Sequence, residues 1–343
     1  MGWLARAFGG GARDSRSLDS EVCSALLSVL DQDLDRAEEA LLRAVRSDTD
    51  GIESYLALAR LYRMRGEIGR AIRVHQNLLL REDLRKEQRL KTLVDLGADF
   101  RQGGFKERAI ACYEDVILDD RHDLKSHRAL VQLYAQMGRH SQAIEHSRRL
   151  SRLEGGGRGN EEARLYVEMA KAQYADGHHD EARRSTKKAL RCSKCCVAAW
   201  VLLGDLEAER GRAKAALAAW SEVPRLDRAS GPRVYAKLEA TYAALGRIRD
   251  FEKLVRGLLE QQPEDASARR ALAALLSARG EMDASISELN HLLGVDSDDL
   301  ETRAALGRIF LSEGRVDEAA HEYGLMIDAL SRRGLLGGEE KPE

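Results

Sequence analysis

Apolar residues recur along most of the chain with the spacing of amphipathic helices, and a glycine separates successive pairs of apolar segments. A large apolar residue lies eight positions before each glycine, and small residues are common seven positions before and five positions after it. This pattern predicts a helix, a tight turn with glycine in the left-handed conformation, and a second helix that packs closely on the first. The turn glycines are Gly66, Gly104, Gly138, Gly177, Gly211, Gly246, Gly280 and Gly314.

The commonest spacing between these glycines is 34 residues, which resembles the tetratricopeptide repeat (TPR). The resemblance implies an all-α fold, a right-handed TPR superhelix (α-solenoid) of about nine helix-turn-helix repeats. We expect repeats at about 18–51, 52–86, 90–123, 124–158, 163–196, 197–230, 232–265, 266–299 and 300–332. Two glycine spacings are longer than 34 residues, and they predict an insertion at 81–84 and a flexible loop at 154–160. The polar ends of the chain predict a flexible segment at 1–17 and a disordered tail at 333–343.

Composition narrows the class of protein. The chain has 343 residues with 55 Lys and Arg against 57 Asp and Glu, so its charge is nearly balanced and it is not a strongly basic nucleic-acid binder. Its longest apolar stretch is about half of the roughly 20 residues that a membrane span needs. Five unevenly spaced cysteines form no disulfide framework. The expected compartment is therefore the cytoplasm.

The repeat register identifies the side chains of each first helix that face a binding groove. Residues 51–150 carry 19 Lys and Arg against 14 Asp and Glu, and only Glu53 offers an opposite charge among the groove positions. A basic groove favours an acidic segment or a C-terminal carboxylate of a partner protein, while a solvated arginine-rich face is the alternative. The candidate groove residues are Arg60, Arg63, Lys91, Arg101, Lys125, Arg128, Arg164 and Lys171.

The same positions in the second half of the chain are mostly small. They include Ala198, Ala236, Ala274 and Ala304, so we expect a groove of different character there. Aromatic residues do not alternate with the cations of the first half, which argues against nucleic acid as the partner. Charge reversal at Arg63 and Arg101 is expected to spare the fold and to weaken partner binding.

Catalytic and metal-binding patterns are weak. Cys192 and Cys195 form one C-x-x-C pair, whereas a zinc site usually takes two such pairs. A redox role for these thiols and Cys196 stays open, because several lysines and arginines lie nearby. Cys23 and Cys112 are expected in the core. The sequence has no phosphate-binding loop and no G-x-S-x-G or H-E-x-x-H motif, so we expect neither an enzyme nor a cofactor.

A narrower resemblance depends on the run R-G-E-I-G-R-A-I-R-V-H-Q at 65–76 and on E-Q-R-L at 87–90. These residues resemble the lipopolysaccharide assembly protein B family over about 50–120, with repeat-level similarity out to about 330. The resemblance implies a non-catalytic adaptor at the cytoplasmic face of the inner membrane of Gram-negative bacteria. That family couples a deacetylase of lipid A synthesis to a membrane-bound protease, and these proteins would be the implied partners.

Two features of that family lack counterparts in this sequence. The family begins with a transmembrane helix and ends in a rubredoxin-type zinc domain with two C-x-x-C pairs. We therefore expect a shortened relative without an integral membrane span, located in the cytoplasm or peripherally at the inner membrane. Its expected function is a protein-binding scaffold in lipopolysaccharide biogenesis or its regulation. The alternative is a generic cytoplasmic TPR co-chaperone or assembly scaffold.

Overall fold

The computed structural model describes residues 23–25, 27–31, 33–47, 51–157 and 159–333. These residues form α-helices, turns and one short 3-10 helix, with no strand among them, so the predicted all-α class is confirmed. The expected flexible segment at 1–17 and all but the first residue of the expected tail lie outside the described residues. Within the expected first repeat, residues 23–25 and 27–30 are helical and precede α1 (Leu34–Ser47).

The chain divides into two compact units, Met1–Leu165 and Tyr166–Glu343. After α1, the first unit contains α2 (Ile52–Met64), α3 (Ile68–Leu79), α4 (Lys86–Gln102), α5 (Lys106–Asp119), α6 (Leu124–Gln136) and α7 (His140–Leu153). The boundary between the two units lies within α8 (Gly159–Ala175). The second unit continues with α9 (His179–Cys192), α10 (Val197–Glu209), α11 (Ala213–Leu226), α12 (Pro232–Ala244), α13 (Ile248–Gln261), α14 (Ala266–Ala278), α15 (Met282–Val295), α16 (Leu300–Ser312) and α17 (Val316–Arg332).

Sequence neighbours pack on one another within each unit. Each helix from α1 to α7 contacts the next, and so does each helix from α9 to α17. The first helices of successive hairpins also touch, since α2 contacts α4 and α14 contacts α16. Each of these helices thus packs against at least one neighbour, as stacked hairpins require.

All eight predicted turn glycines adopt positive φ, between 66° and 81°. This left-handed conformation is strained for residues with a side chain, and glycine reverses the chain there without that strain. The predicted turn geometry is confirmed at each position.

The small residues of the first helices permit close helix contact. A Cβ added at Gly204 of α10 would lie 2.2 Å from Cδ1 of Trp220 on α11, which leaves no room for a side chain. Gly97 meets the Tyr113 ring in the same way, and a Cβ there would lie 2.9 Å from the ring. An aromatic ring in the second helix therefore fills the space that glycine leaves in the first.

The two longer glycine spacings, Gly66 to Gly104 and Gly138 to Gly177, correspond to longer first helices in those repeats. Helices α4 and α8 each have 17 residues, whereas α2 and α6 have 13, so the additional residues supply about one turn. Helix α4 begins at Lys86, and the side chain of Gln88 accepts a hydrogen bond from the backbone N–H of Arg85, 3.1 Å away. Helix α8 begins at Gly159, so the end of the expected loop at 154–160 is helical. The capping contact between Arg85 and Gln88 explains why α4 begins earlier than the repeat pattern suggested.

Candidate functional site

Three adjoining depressions lie on the first helices of consecutive hairpins in the first unit. Their volumes are about 680, 290 and 320 Å³, and they are formed mainly by α2, α4 and α6. We call them the α2–α4–α6 surface. Six of the eight cations that the sequence singled out line it, namely Arg60, Arg63, Lys91, Arg101, Lys125 and Arg128.

The other two predicted cations are elsewhere. Arg164 is exposed on α8 and does not line these depressions. Lys171 belongs to the second unit, where its Nζ lies 2.8 Å from Oε1 of Glu168. The structure thus brings six predicted residues together on one surface of the first unit.

Two aspartates of α4, which sequence reasoning missed, bind two of these arginines. Arg60 Nη2 lies 3.0 Å from Asp95 Oδ2, and Arg63 Nη2 lies 3.6 Å from Asp95 Oδ1. Arg63 Nη1 lies 3.1 Å from Oδ1 of Asp99. Arg60 and Arg63 therefore connect α2 to α4, and much of their charge is compensated within the protein.

Asp99 continues this network into the core. Its Oδ2 lies 2.6 Å from Nδ1 of His75 on α3, and both side chains are fully buried. Since Arg63 supports the buried carboxylate, reversing its charge is expected to destabilise the first unit, in contrast to the sequence-based expectation.

The positions of His75 and Asp99 within the repeat could have revealed this pair from the sequence. Asp99 lies five residues before Gly104, where one other repeat has Thr241 and six have an apolar residue: Leu61, Leu133, Ala172, Leu206, Leu275 and Ile309. His75 lies nine residues after Gly66, a position that is apolar or aromatic in five other repeats and carries a hydroxyl in two: Tyr113, Trp220, Val255, Leu289 and Tyr323, and Ser147 and Thr186. Two polar residues at core positions of adjacent repeats predict a buried polar contact.

The remaining four cations differ in their partners. Lys91 Nζ lies 2.9 Å from Glu53 Oε2, and Arg128 forms an ion pair with Glu154. Arg101 donates to the amide oxygen of Gln132 at 3.2 Å. Among the described residues, no carboxylate lies within ion-pair distance of Arg101 or Lys125, and both side chains are exposed.

Comparisons with known proteins agree with this architecture. The tetratricopeptide repeat family model matches residues 167–230. Lipopolysaccharide assembly protein B of Escherichia coli (strain K12) is 26% identical over 266 residues, which cover 78% of this chain and 68% of that protein. The chain is a tetratricopeptide repeat protein that resembles lipopolysaccharide assembly protein B.

Two further proteins are similar to this TPR protein. Lipopolysaccharide assembly protein B of Haemophilus influenzae is 28% identical over 202 residues, which cover 58% of this chain and 50% of that protein. A tetratricopeptide repeat protein from Parabacteroides merdae, whose crystal structure is known, has 14% sequence identity to this chain, and the two structures align with a TM-score of 0.40. That alignment covers 86% of this chain and 99% of the other.

The second unit of the TPR protein has a depression of about 640 Å³ between α14 and α16. Small residues line it, including Ala274 and Ala304 from the predicted small positions. Arg270 and Arg308 also line it, and the Arg270 side chain lies 2.7 Å from a carboxylate oxygen of Asp299 and 2.7 Å from one of Glu301. This depression is less cationic than the α2–α4–α6 surface.

The cysteines of the TPR protein contribute little to a site. Cys112 is buried, as expected, and burial with the nearby Asp115 carboxylate raises the pKa of its thiol to about 11. Cys23 is exposed, so its expected place in the core was wrong. In the described part of the chain, no three His, Cys, Asp or Glu side chains are arranged to bind a metal ion. None of the helices described there is long and apolar enough to cross a bilayer.

Proposed function

We propose that the protein is a non-catalytic adaptor that binds segments of partner proteins and acts in lipopolysaccharide biogenesis or its regulation. The observation that carries this proposal is the 26% identity to lipopolysaccharide assembly protein B over 78% of the chain. The proposed partners are a lipid A biosynthetic enzyme and a membrane protease, and the proposed location is the cytoplasm or the cytoplasmic face of the inner membrane.

The α2–α4–α6 surface supports the binding part of the proposal. Stacked hairpins place the side chains of successive first helices side by side, which gives a long surface without a single deep cavity. Its exposed Arg101 and Lys125 favour contact with carboxylates. Recognition of an extended segment on such a surface needs no catalytic group.

Deletion of the coding gene tests the biological role. The amount of lipopolysaccharide per cell and the half-life of the lipid A deacetylase are measured in the deletion strain and in a strain that carries the gene on a plasmid. We expect both quantities to change on deletion and to return on complementation. Unchanged values in the deletion strain would refute the role in lipopolysaccharide biogenesis and favour the generic scaffold.

Affinity purification tests the proposed partners. The tagged protein is purified in mild detergent and its bound proteins are identified by mass spectrometry, with the Arg101→Gln/Lys125→Gln variant in parallel. Enrichment of the deacetylase or a membrane protease with the wild-type protein, and its loss with the variant, is the expected result. Enrichment of soluble chaperone clients alone would contradict the envelope partners.

A further inference from the structure

The six cations of the α2–α4–α6 surface fall into two groups. Arg60, Arg63, Lys91 and Arg128 each lie against a carboxylate of this chain, from Asp95, Asp99, Glu53 or Glu154. An incoming carboxylate would have to compete with these internal partners. Arg101 and Lys125 do not form such a pair among the described residues, so their charge is available to a ligand.

Arg101 on α4 and Lys125 on α6 line the same depression, whose volume is about 320 Å³. Arg128 and Asp95 line it too, and each of them is already paired within the protein. Gln132 lines it too, and the guanidinium of Arg101 already donates to the amide oxygen of Gln132. That hydrogen bond joins the guanidinium to an uncharged partner on the next repeat. Two cations from adjacent repeats can therefore face one acidic group of a partner.

The neighbouring depression of about 680 Å³ has a different lining. It contains Arg63, Ala98 and Arg101 together with the amide side chains of Gln102, Gln132 and Gln136. Gln102 Nε2 already donates to the backbone oxygen of Arg63 at 3.4 Å, and the Gln132 amide oxygen accepts from Arg101. The remaining amide N–H groups and the Gln136 amide can pair with the backbone of an extended chain. This part of the surface fits the main chain of a ligand rather than a charged side chain.

The third depression, of about 290 Å³, has mixed charge. Its lining includes the carboxylates of Asp95, Asp120 and Asp123 together with the cations Arg60, Lys91 and Lys125. Because like charges repel, Asp120 and Asp123 would oppose a long polyacidic segment that continued past Lys125. The depression of about 320 Å³ shares lining residues with both of the others. It shares Ala98, Arg101 and Gln132 with the depression of about 680 Å³, and Val94, Asp95 and Lys125 with the depression of about 290 Å³. One extended segment can therefore continue through all three depressions.

We propose that Arg101 and Lys125 bind a short acidic cluster within an extended internal segment of a partner protein, while Gln102, Gln132 and Gln136 contact its backbone. Arg60 and Arg63 instead hold Asp95 and Asp99 in place and make no direct contact with the acidic cluster. This inference rests on the proposed adaptor function, because it names the chemistry of the segment that the adaptor binds.

A peptide-binding measurement with the full-length protein tests the inference. The probe is a fluorescein-labelled 12-residue peptide of Ala, Ser and Gln with Glu-Glu at its centre and an amidated C-terminus. One control peptide replaces Glu-Glu with Gln-Gln, and another is the Gln-Gln peptide with a free C-terminal carboxylate. Fluorescence anisotropy reports binding, and we expect both control peptides to bind at least about tenfold more weakly.

Matched variants locate the contact. Arg101→Gln/Lys125→Gln is expected to weaken binding of the Glu-Glu peptide at least about tenfold. Lys91→Gln removes a cation of the same surface that already has Glu53 beside it at 2.9 Å, and a change of less than about twofold is expected. Circular dichroism and thermal unfolding should match the wild type for both variants, since the three side chains are exposed.

Three results would overturn the inference: no binding of the Glu-Glu peptide to the wild-type protein, equal losses with the Lys91→Gln and Arg101→Gln/Lys125→Gln proteins, or tightest binding of the free C-terminal carboxylate. The gene deletion addresses a different question. If the peptide results follow the expectation while lipopolysaccharide is unchanged, the acidic-segment site stands and the lipopolysaccharide role fails.

Discussion

The first and second units present surfaces of similar size and different chemistry. The largest depression of the α2–α4–α6 surface and the depression between α14 and α16 have volumes of about 680 and 640 Å³. Arginine and glutamine side chains line the first, and alanines line much of the second. The same repeat geometry therefore supports a polar surface in one unit and a surface of small residues in the other. The side chains that line these surfaces point away from the helix–helix contacts, so their chemistry can vary without changing the fold.

The difference extends into the core. His75 and Asp99 form a buried polar contact between adjacent repeats of the first unit, 2.6 Å apart. The same two register positions at the end of the second unit hold Leu289 and Ile309, which belong to one apolar cluster. A buried charge requires its partners, whereas an apolar pair tolerates more rearrangement. We therefore expect the polar pair to be the more sensitive contact.

The largest expected effect comes from breaking that pair. Asp99→Ala leaves Arg63 and His75 without their shared carboxylate and should destabilise the first unit by about 3–5 kcal/mol. The double variant His75→Leu/Asp99→Ile copies the second unit and should recover much of the loss. Urea unfolding followed by circular dichroism measures both. A loss below about 1 kcal/mol for Asp99→Ala would mean that the network adds little to stability.

Close helix contact gives the next largest effect. Gly204→Ala should cost about 1–3 kcal/mol, because the added Cβ would overlap the Trp220 ring. Gly97→Ala in the first unit should cost less, since Tyr113 is less crowded there. Gly257→Ala is the control: this glycine lies inside α13 with no neighbour within 4 Å, and alanine should stabilise the helix by about 0.5–1 kcal/mol. Thermal unfolding of the three variants should rank them in this order.

The turns should not distinguish the two units. Gly66 and Gly211 have φ of 77° and 69°, and valine at either position should cost about 1–2 kcal/mol. Asparagine tolerates this conformation better, so Gly66→Asn and Gly211→Asn should each be milder. Denaturation midpoints of the four variants check this, and markedly unequal costs of the two valine variants would show that context, rather than φ, sets the penalty.

The smallest expected effect is a pH dependence specific to the first unit. Burial and the neighbouring His127 lower the pKa of His146. The unfolded chain therefore takes up a proton at His146 more readily than the folded protein does, and this contribution to stability is lost as pH falls below about 6.5. We expect unfolding free energies at pH 7.5 and 5.5 to differ less in His146→Gln than in the wild type. An identical pH dependence in both proteins would show that other groups dominate.

The sequence by itself determined the helices, their pairing and the turns. Helix formation and the left-handed glycine depend on residues close in the chain, so a 34-residue register was sufficient to place them. It also selected eight cations, six of which share one surface. The additional turns of α4 and α8 escaped it, and at α4 the capping contact between Arg85 and Gln88 lies outside the repeat pattern.

Only the tertiary structure decided which charges are available. Arg60 and Asp95 are 35 residues apart, and His75 and Asp99 are 24 apart, so these contacts depend on how neighbouring hairpins pack. The sequence treated Arg63 and Arg101 as equivalent groove cations. Packing buries Asp99, one partner of Arg63, and leaves Arg101 beside an amide, because the partners of a side chain are set by the adjacent helix rather than by its own.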